Sequence, residues 1–133
     1  MILQCFMSRA SMIGWMALAL LIGGCGPSEV RAPDSDINEA RELLSNSLEL
    51  WKSGKKAEDL RSLNPPVYFA DDQLAKGAKL KDFRILTNGE MYVTNVKFEV
   101  ELQFNGADGQ EDRQRKIEYL VTTVPAKTIS RLE

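Results

Sequence analysis

The sequence predicts an α+β domain over residues 36–133, in which a long amino-terminal helix and a short helix pack on a curved antiparallel sheet of about three to four strands. Apolar residues recur every three or four positions from Ile37 to Trp51, which is the period of an amphipathic helix. From residue 79 onward, apolar and polar residues alternate instead, which is typical of half-buried strands. Helices followed by a run of strands favour an arrangement with the helices on one sheet face.

The first helix has recognisable signals at both ends. Asp36 can cap its amino terminus, and Glu39 stands three residues later, as in a capping box. Gly54 is well placed to end the helix, because glycine readily adopts the left-handed conformation at that position. Trp51 falls on the apolar stripe and is therefore predicted to be a core residue.

A second, shorter helix is predicted from Lys56 to Leu63, and Pro65 and Pro66 then prevent its continuation. Residues 67–69 fit either a short strand or an extended segment. Asp71 is expected to cap a single helical turn that ends at Gly77.

The remaining chain is predicted to form strands. Residues 79–86 alternate and lead into Asn88-Gly89, a strong signal for a hairpin turn. The next strand has one apolar face, which consists of Val96, Phe98, Val100, Leu102 and Phe104. A return strand places Ile117, Tyr119 and Val121 on one face, and residues 127–132 are expected to form a last strand at the sheet edge.

The amino-terminal segment has the composition of a targeting sequence. Residues 12–24 contain no charge, and thirteen residues are too few for a membrane span but suit the apolar region of a signal peptide. Arg9 supplies the positive charge that precedes such a region. A signal peptide does not need the stretch before Met7. The start of translation can therefore be either Met1 or Met7.

Ile22-Gly23-Gly24-Cys25 resembles the lipobox of bacterial lipoproteins, in which an aliphatic residue and two small residues precede a cysteine. The resemblance implies a signal peptide over residues 1–24, cleavage between Gly24 and Cys25, and a diacylglyceryl group on the Cys25 thiol. Residues 25–35 would then be the lipidated cysteine and a flexible tether. Because Gly26 is not aspartate, the family pattern favours the outer membrane. A plain secretory signal or an uncleaved anchor, with Cys25 incidental, is the alternative.

The predicted domain resembles the cystatin-like or nuclear-transport-factor-two-like cone, in which a curved sheet wraps a long helix. It is more similar to small bacterial envelope lipoproteins of unknown function. The residues of that resemblance are Trp51, Gly54, Leu60, Pro65, Pro66, Asp71, Asp72, Gly77, Leu80 and Phe83. They are structural positions, so the resemblance implies a fold and no activity.

Composition disfavours several function classes. The chain has no histidine, and its two cysteines both lie within the first 25 residues, so neither a metal site nor a cofactor is expected. Its 17 basic and 19 acidic residues are interspersed, which disfavours nucleic-acid binding.

The candidate catalytic residues are Asp71, Asp82 and Tyr92, because enzymes of the cone fold often use an aspartate or a tyrosine between helix and sheet.

Two functions follow as hypotheses. The first is a noncatalytic envelope lipoprotein, tethered to a membrane by its lipid, whose domain binds a small ligand or a protein partner. The alternative is a small envelope enzyme of the cone-fold type, similar to an isomerase or a dehydratase. The enzyme hypothesis depends most on Asp82, which we expect to face solvent.

Overall fold

The structure is a computed structural model that describes residues 33–106 and 111–132. The predicted signal peptide and its cleavage and lipidation site at Gly24 and Cys25 lie outside these residues. The helices are α1 (Ile37–Lys52), α2 (Ala57–Arg61) and α3 (Asp72–Ala75). The strands are β1 (Val67–Ala70), β2 (Leu80–Ile85), β3 (Glu90–Tyr92), β4 (Asn95–Phe104), β5 (Arg113–Thr122) and β6 (Lys127–Leu132).

The six strands form one curled, mixed sheet with the order β1-β6-β5-β4-β2, and β3 also pairs with β4. The predicted sheet of three to four antiparallel strands was therefore too small. Strand β1 pairs in parallel with β6, so β6 lies inside the sheet and not at its edge as predicted. Strands β1 and β3 have four and three residues, which is too short for alternation to identify them from sequence.

The predicted hairpin at Asn88-Gly89 was also wrong. Strands β2 and β3 both pair with β4, at Ile85↔Val100 and at Glu90↔Lys97, so they run in the same direction along one edge of β4. Residue Gly89 lies in the interruption between them, where its φ is +97° and an added Cβ would lie 2.9 Å from Phe98 Cε1. The tight reversal comes after β3, between Tyr92 and Asn95.

Both predicted ends of α1 are confirmed. The Asp36 carboxylate accepts a hydrogen bond from the Glu39 backbone N–H at 2.8 Å, as an amino-terminal cap does. At the other end, the Gly54 N–H donates to the Trp51 carbonyl and the Lys55 N–H donates to the Leu50 carbonyl. These two bonds are those of a Schellman motif and satisfy carbonyls that the helix leaves free.

The core lies between α1 and one face of the sheet. The apolar faces predicted for α1, β4 and β5 all belong to one buried cluster, which includes Leu44, Leu48, Trp51, Phe98, Val100 and Tyr119. Trp51 is 2% exposed, and its indole Nε1–H donates to the Ala78 carbonyl at 2.9 Å. Its ring lies 5.9 Å from the Phe69 ring and 5.6 Å from the Phe104 ring. Trp51 therefore joins α1 to β1 and β4.

We expect Trp51→Ala to lower the free energy of unfolding by about 3–5 kcal/mol, because it removes a buried aromatic side chain and leaves a cavity. Urea denaturation followed by far-ultraviolet circular dichroism measures this loss. Trp51→Phe is the control for the hydrogen bond, since it keeps an aromatic ring but no donor for Ala78. A Trp51→Ala variant as stable as the wild type would contradict the central position of this residue.

Candidate functional site

Two of the three candidate catalytic residues lie at the surface. The Asp82 side chain is 62% exposed and 3.5 Å from Lys52 Nζ. A hydrogen bond from the Phe83 backbone N–H, and then the charge of Lys52, hold the pKa of the Asp82 carboxyl below its usual range. Asp82 therefore faces solvent, as predicted, and is a carboxylate at neutral pH. Tyr92 is 47% exposed, with Lys97 Nζ 5.6 Å from its ring centre.

Asp71, the third candidate, is buried and hydrogen-bonded on both oxygens. Its side chain is the amino-terminal cap of α3, as predicted, because Oδ1 accepts from the backbone N–H of Gln73 at 2.7 Å and of Leu74 at 3.2 Å. Oδ2 accepts a hydrogen bond of 2.5 Å from the Tyr119 hydroxyl. Three donors thus surround a carboxylate that is only 6% exposed.

Sequence reasoning missed the role of Tyr119. This residue lies on β5, is fully buried, and packs its ring edge-on against Phe69 at 5.5 Å. Its position on the apolar face of β5 contained a signal, because a buried tyrosine hydroxyl usually finds a hydrogen-bond partner. The sequence could not show that this partner is Asp71, which lies 48 residues earlier in the chain.

The surroundings of Tyr119 favour its neutral form. Burial, and then the negative charge and hydrogen bond of Asp71, raise the pKa of the Tyr119 hydroxyl far above its usual value, and Arg131 opposes this only in part. The phenol therefore stays protonated at neutral pH and donates to Asp71. The pair links the start of α3 to β5 and is suited to holding structure more than to exchanging protons.

An open groove of about 500 Å³ lies beside this pair, between α2 and the segment from β1 to α3. Its polar lining includes Glu58, Arg61, Asp72 and Arg131, and Tyr68 contributes an aromatic ring. Arg61 is paired with Glu58 at 3.5 Å. Arg131 is half-buried, and its side chain has no hydrogen bond or ion pair to the residues that the structure describes. The groove thus offers a guanidinium group and an aromatic face to a ligand.

Metal binding has no candidate in this part of the chain. Across residues 33–106 and 111–132, no three cysteine or acidic side chains are grouped so that they could hold a metal ion.

No known protein family, curated protein or solved structure matches this chain. What is established is an α+β fold with an amino-terminal helix and a curled, mixed, half-barrel sheet. The resemblances to envelope lipoproteins and to the cone fold stay predictions.

We expect Tyr119→Phe to lower the free energy of unfolding by about 1–3 kcal/mol, because it leaves Oδ2 of the buried Asp71 without its donor. Chemical denaturation at neutral pH measures the loss. Tyr92→Phe is the matched control, since it removes the hydroxyl of a tyrosine that is about half exposed and should leave stability unchanged.

The same pair predicts a dependence on alkaline pH. Because folding raises the pKa of Tyr119, its contribution is complete below about pH 10, the usual value for tyrosine, and falls as the pH rises further. The stability advantage of the wild type over Tyr119→Phe should therefore shrink by about 1.4 kcal/mol per pH unit above pH 10. An advantage that stays constant up to pH 11 would show that the fold does not hold Tyr119 neutral.

Proposed function

We propose that the protein is a bacterial lipoprotein, anchored in a membrane of the cell envelope through a lipid on Cys25, whose domain binds a partner and catalyses no reaction. The observation that supports it most is the Ile22-Gly23-Gly24-Cys25 sequence at the end of an uncharged run of thirteen residues. Two or three acyl chains, at about 0.8 kcal/mol per buried methylene, would anchor the chain stably. Among the described residues, no helix is long and apolar enough to cross a membrane.

The start of the folded domain agrees with this arrangement. Ser35 is buried, and its N–H donates to the Thr94 carbonyl while its hydroxyl accepts from the Thr123 N–H, both at 2.9 Å. The domain thus begins ten residues after Cys25, and the residues between them are available as a tether. The absence of aspartate at residue 26 favours the outer membrane as the site of anchoring.

The groove beside β1 is the proposed binding surface. Its volume of about 500 Å³ is within the range of ligand sites, and β1 is an edge strand, where an extended peptide can add to a sheet. Arg131 could pair with a carboxylate of the bound segment, and Tyr68, which is 48% exposed, could pack on its side chains. We favour a short extended segment of an envelope protein as the ligand.

One observation favours the alternative, a small envelope enzyme. Asp71 is a buried carboxylate in the groove wall, next to a buried phenol, and such surroundings are frequent in active sites. We prefer a binding function to a catalytic one, because the two Asp71 oxygens already accept three hydrogen bonds within the protein. A substrate would have to replace one of these donors.

We expect Cys25→Ser to abolish incorporation of radiolabelled palmitate in a bacterial host and to release the protein from the membrane fraction or leave it unprocessed. Cys5→Ser is the matched control, because no apolar region precedes Cys5, and it should be labelled like the wild type. Continued labelling of Cys25→Ser would contradict the lipoprotein proposal.

We expect a photo-crosslinking amino acid in place of Tyr68 to form a discrete adduct with an envelope protein in intact cells, and Arg131→Glu to remove that adduct. The same amino acid in place of Tyr92, which has nearly equal exposure, should form no protein adduct. An adduct that persists with Arg131→Glu would show that Arg131 takes no part in binding, and the absence of any adduct at Tyr68 would contradict the groove as the binding surface.

A further inference from the structure

One end of the sheet has an exposed apolar surface, formed by Met91, Tyr92, Val93 and Val124, which we call the entry tip. Met91 and Tyr92 are the last two residues of β3, Val93 belongs to the turn between β3 and β4, and Val124 belongs to the turn after β5. The two turns lie side by side, because Val96 pairs with Val121 and the Thr122 hydroxyl donates to the Asn95 side chain at 2.9 Å.

The entry tip lies where the chain enters the domain. Ser35 bonds to Thr94 in one turn and to Thr123 in the other, so its backbone is fixed between them. Residues that precede Ser35 therefore connect to the domain at this end of the sheet. Ser35 is the tenth residue after Cys25, so the chain between them spans at most about 35 Å when fully extended.

The residues of the entry tip carry no charge themselves, although Lys97 Nζ lies 5.6 Å from the centre of the Tyr92 ring. Residues 91–96 and 119–126 contain no charged side chain, in a chain whose charged fraction is 27%. The opposite end of the sheet has Glu111, Asp112 and Arg113 at the start of β5, and there Asp112 pairs with Lys81. That end is about 30 Å away, the length of a strand such as β4.

Val93 is an unusual residue for its place. Its φ is +58°, a left-handed conformation that glycine or asparagine adopts easily and a β-branched residue does not, and it is 78% exposed. Folding alone would favour a different residue at this turn. An apolar side chain in that position suggests a contact outside the domain.

We propose that the entry tip lies in the interface of the lipid bilayer that anchors the protein, with Met91 and Val93 at the acyl boundary and Tyr92 at the headgroups. The inference rests on the proposed lipidation of Cys25. The chain that leads from Cys25 joins the domain at this apolar end, and an aromatic ring with a polar tip is suited to the interface. The domain would then stand with the charged end of its sheet away from the membrane.

The test uses the protein as a bacterial host processes it, mixed with vesicles of phosphatidylcholine and phosphatidylglycerol. After cleavage the chain keeps one native tryptophan, Trp51, which is 2% exposed and gives a constant background. After the wild-type emission is subtracted, Val93→Trp should give a blue-shifted emission. Lipids brominated near the headgroup should lower its intensity at least twofold. Arg113→Trp is the control, and its emission should not be quenched.

The outcomes separate the two proposals. Protein that does not float with the vesicles would show that the lipid anchor is absent, and would refute the proposed function together with this inference. Protein that floats but is quenched equally in Val93→Trp and Arg113→Trp would refute only the contact of the entry tip. Blue-shifted emission of Val93→Trp without quenching, together with dimers on chemical crosslinking, would assign the tip to a second copy and also overturn the proposal.

Discussion

The fold depends first on the contact between α1 and the curled sheet at Trp51. A sheet that is polar on one face needs a cover for the other face, and α1 supplies it with a stripe of apolar side chains. Trp51 is the last large residue of this stripe and the one that contacts aromatic rings of both β1 and β4. Its bond to the Ala78 carbonyl also fixes the segment that leads from α3 into β2. Strands at two different parts of the sheet are thus positioned by one side chain.

The second constraint is the buried hydrogen bond between Tyr119 and Asp71, which lies in the wall of the groove. Burying Asp71 is costly unless its charge is stabilised, and the amino terminus of α3 and the Tyr119 hydroxyl provide that stabilisation. Burial, and then the charge of this carboxylate, raise the pKa of the Tyr119 hydroxyl and keep the phenol protonated. Each group therefore satisfies the hydrogen bonding of the other. Both side chains in this wall of the groove are thus engaged within the fold. The side chain of Arg131, by contrast, has no hydrogen bond or ion pair among the described residues.

The sequence predicted those elements whose signals are local. The stripe of α1, its caps at Asp36 and Gly54, and the alternation of β4 and β5 each depend on residues close together in the chain. The Asp71 cap was predicted for the same reason. Strands β1 and β3, the parallel pairing of β1 with β6, and the Asp71–Tyr119 bond depend on residues far apart or on very short segments. Asn88-Gly89 misled the prediction. Gly89 does have a positive φ, but it lies where the chain packs closely against Phe98 and not in a hairpin turn.

The binding surface proposed at the groove and the membrane contact proposed for the entry tip are compatible with each other. Along β6, Arg131 lies four residues from Lys127, which follows the turn that contains Val124. This separation corresponds to about 13 Å of strand, so Arg131 would lie farther from the membrane than Tyr68, which pairs with Thr128 nearer the tip. The groove also lies at β1, on the far side of the sheet order from β3, whose end forms most of the tip. In a domain that contacts the membrane through its entry tip, the groove would therefore open at the side of the domain. A partner in the same membrane could reach it there.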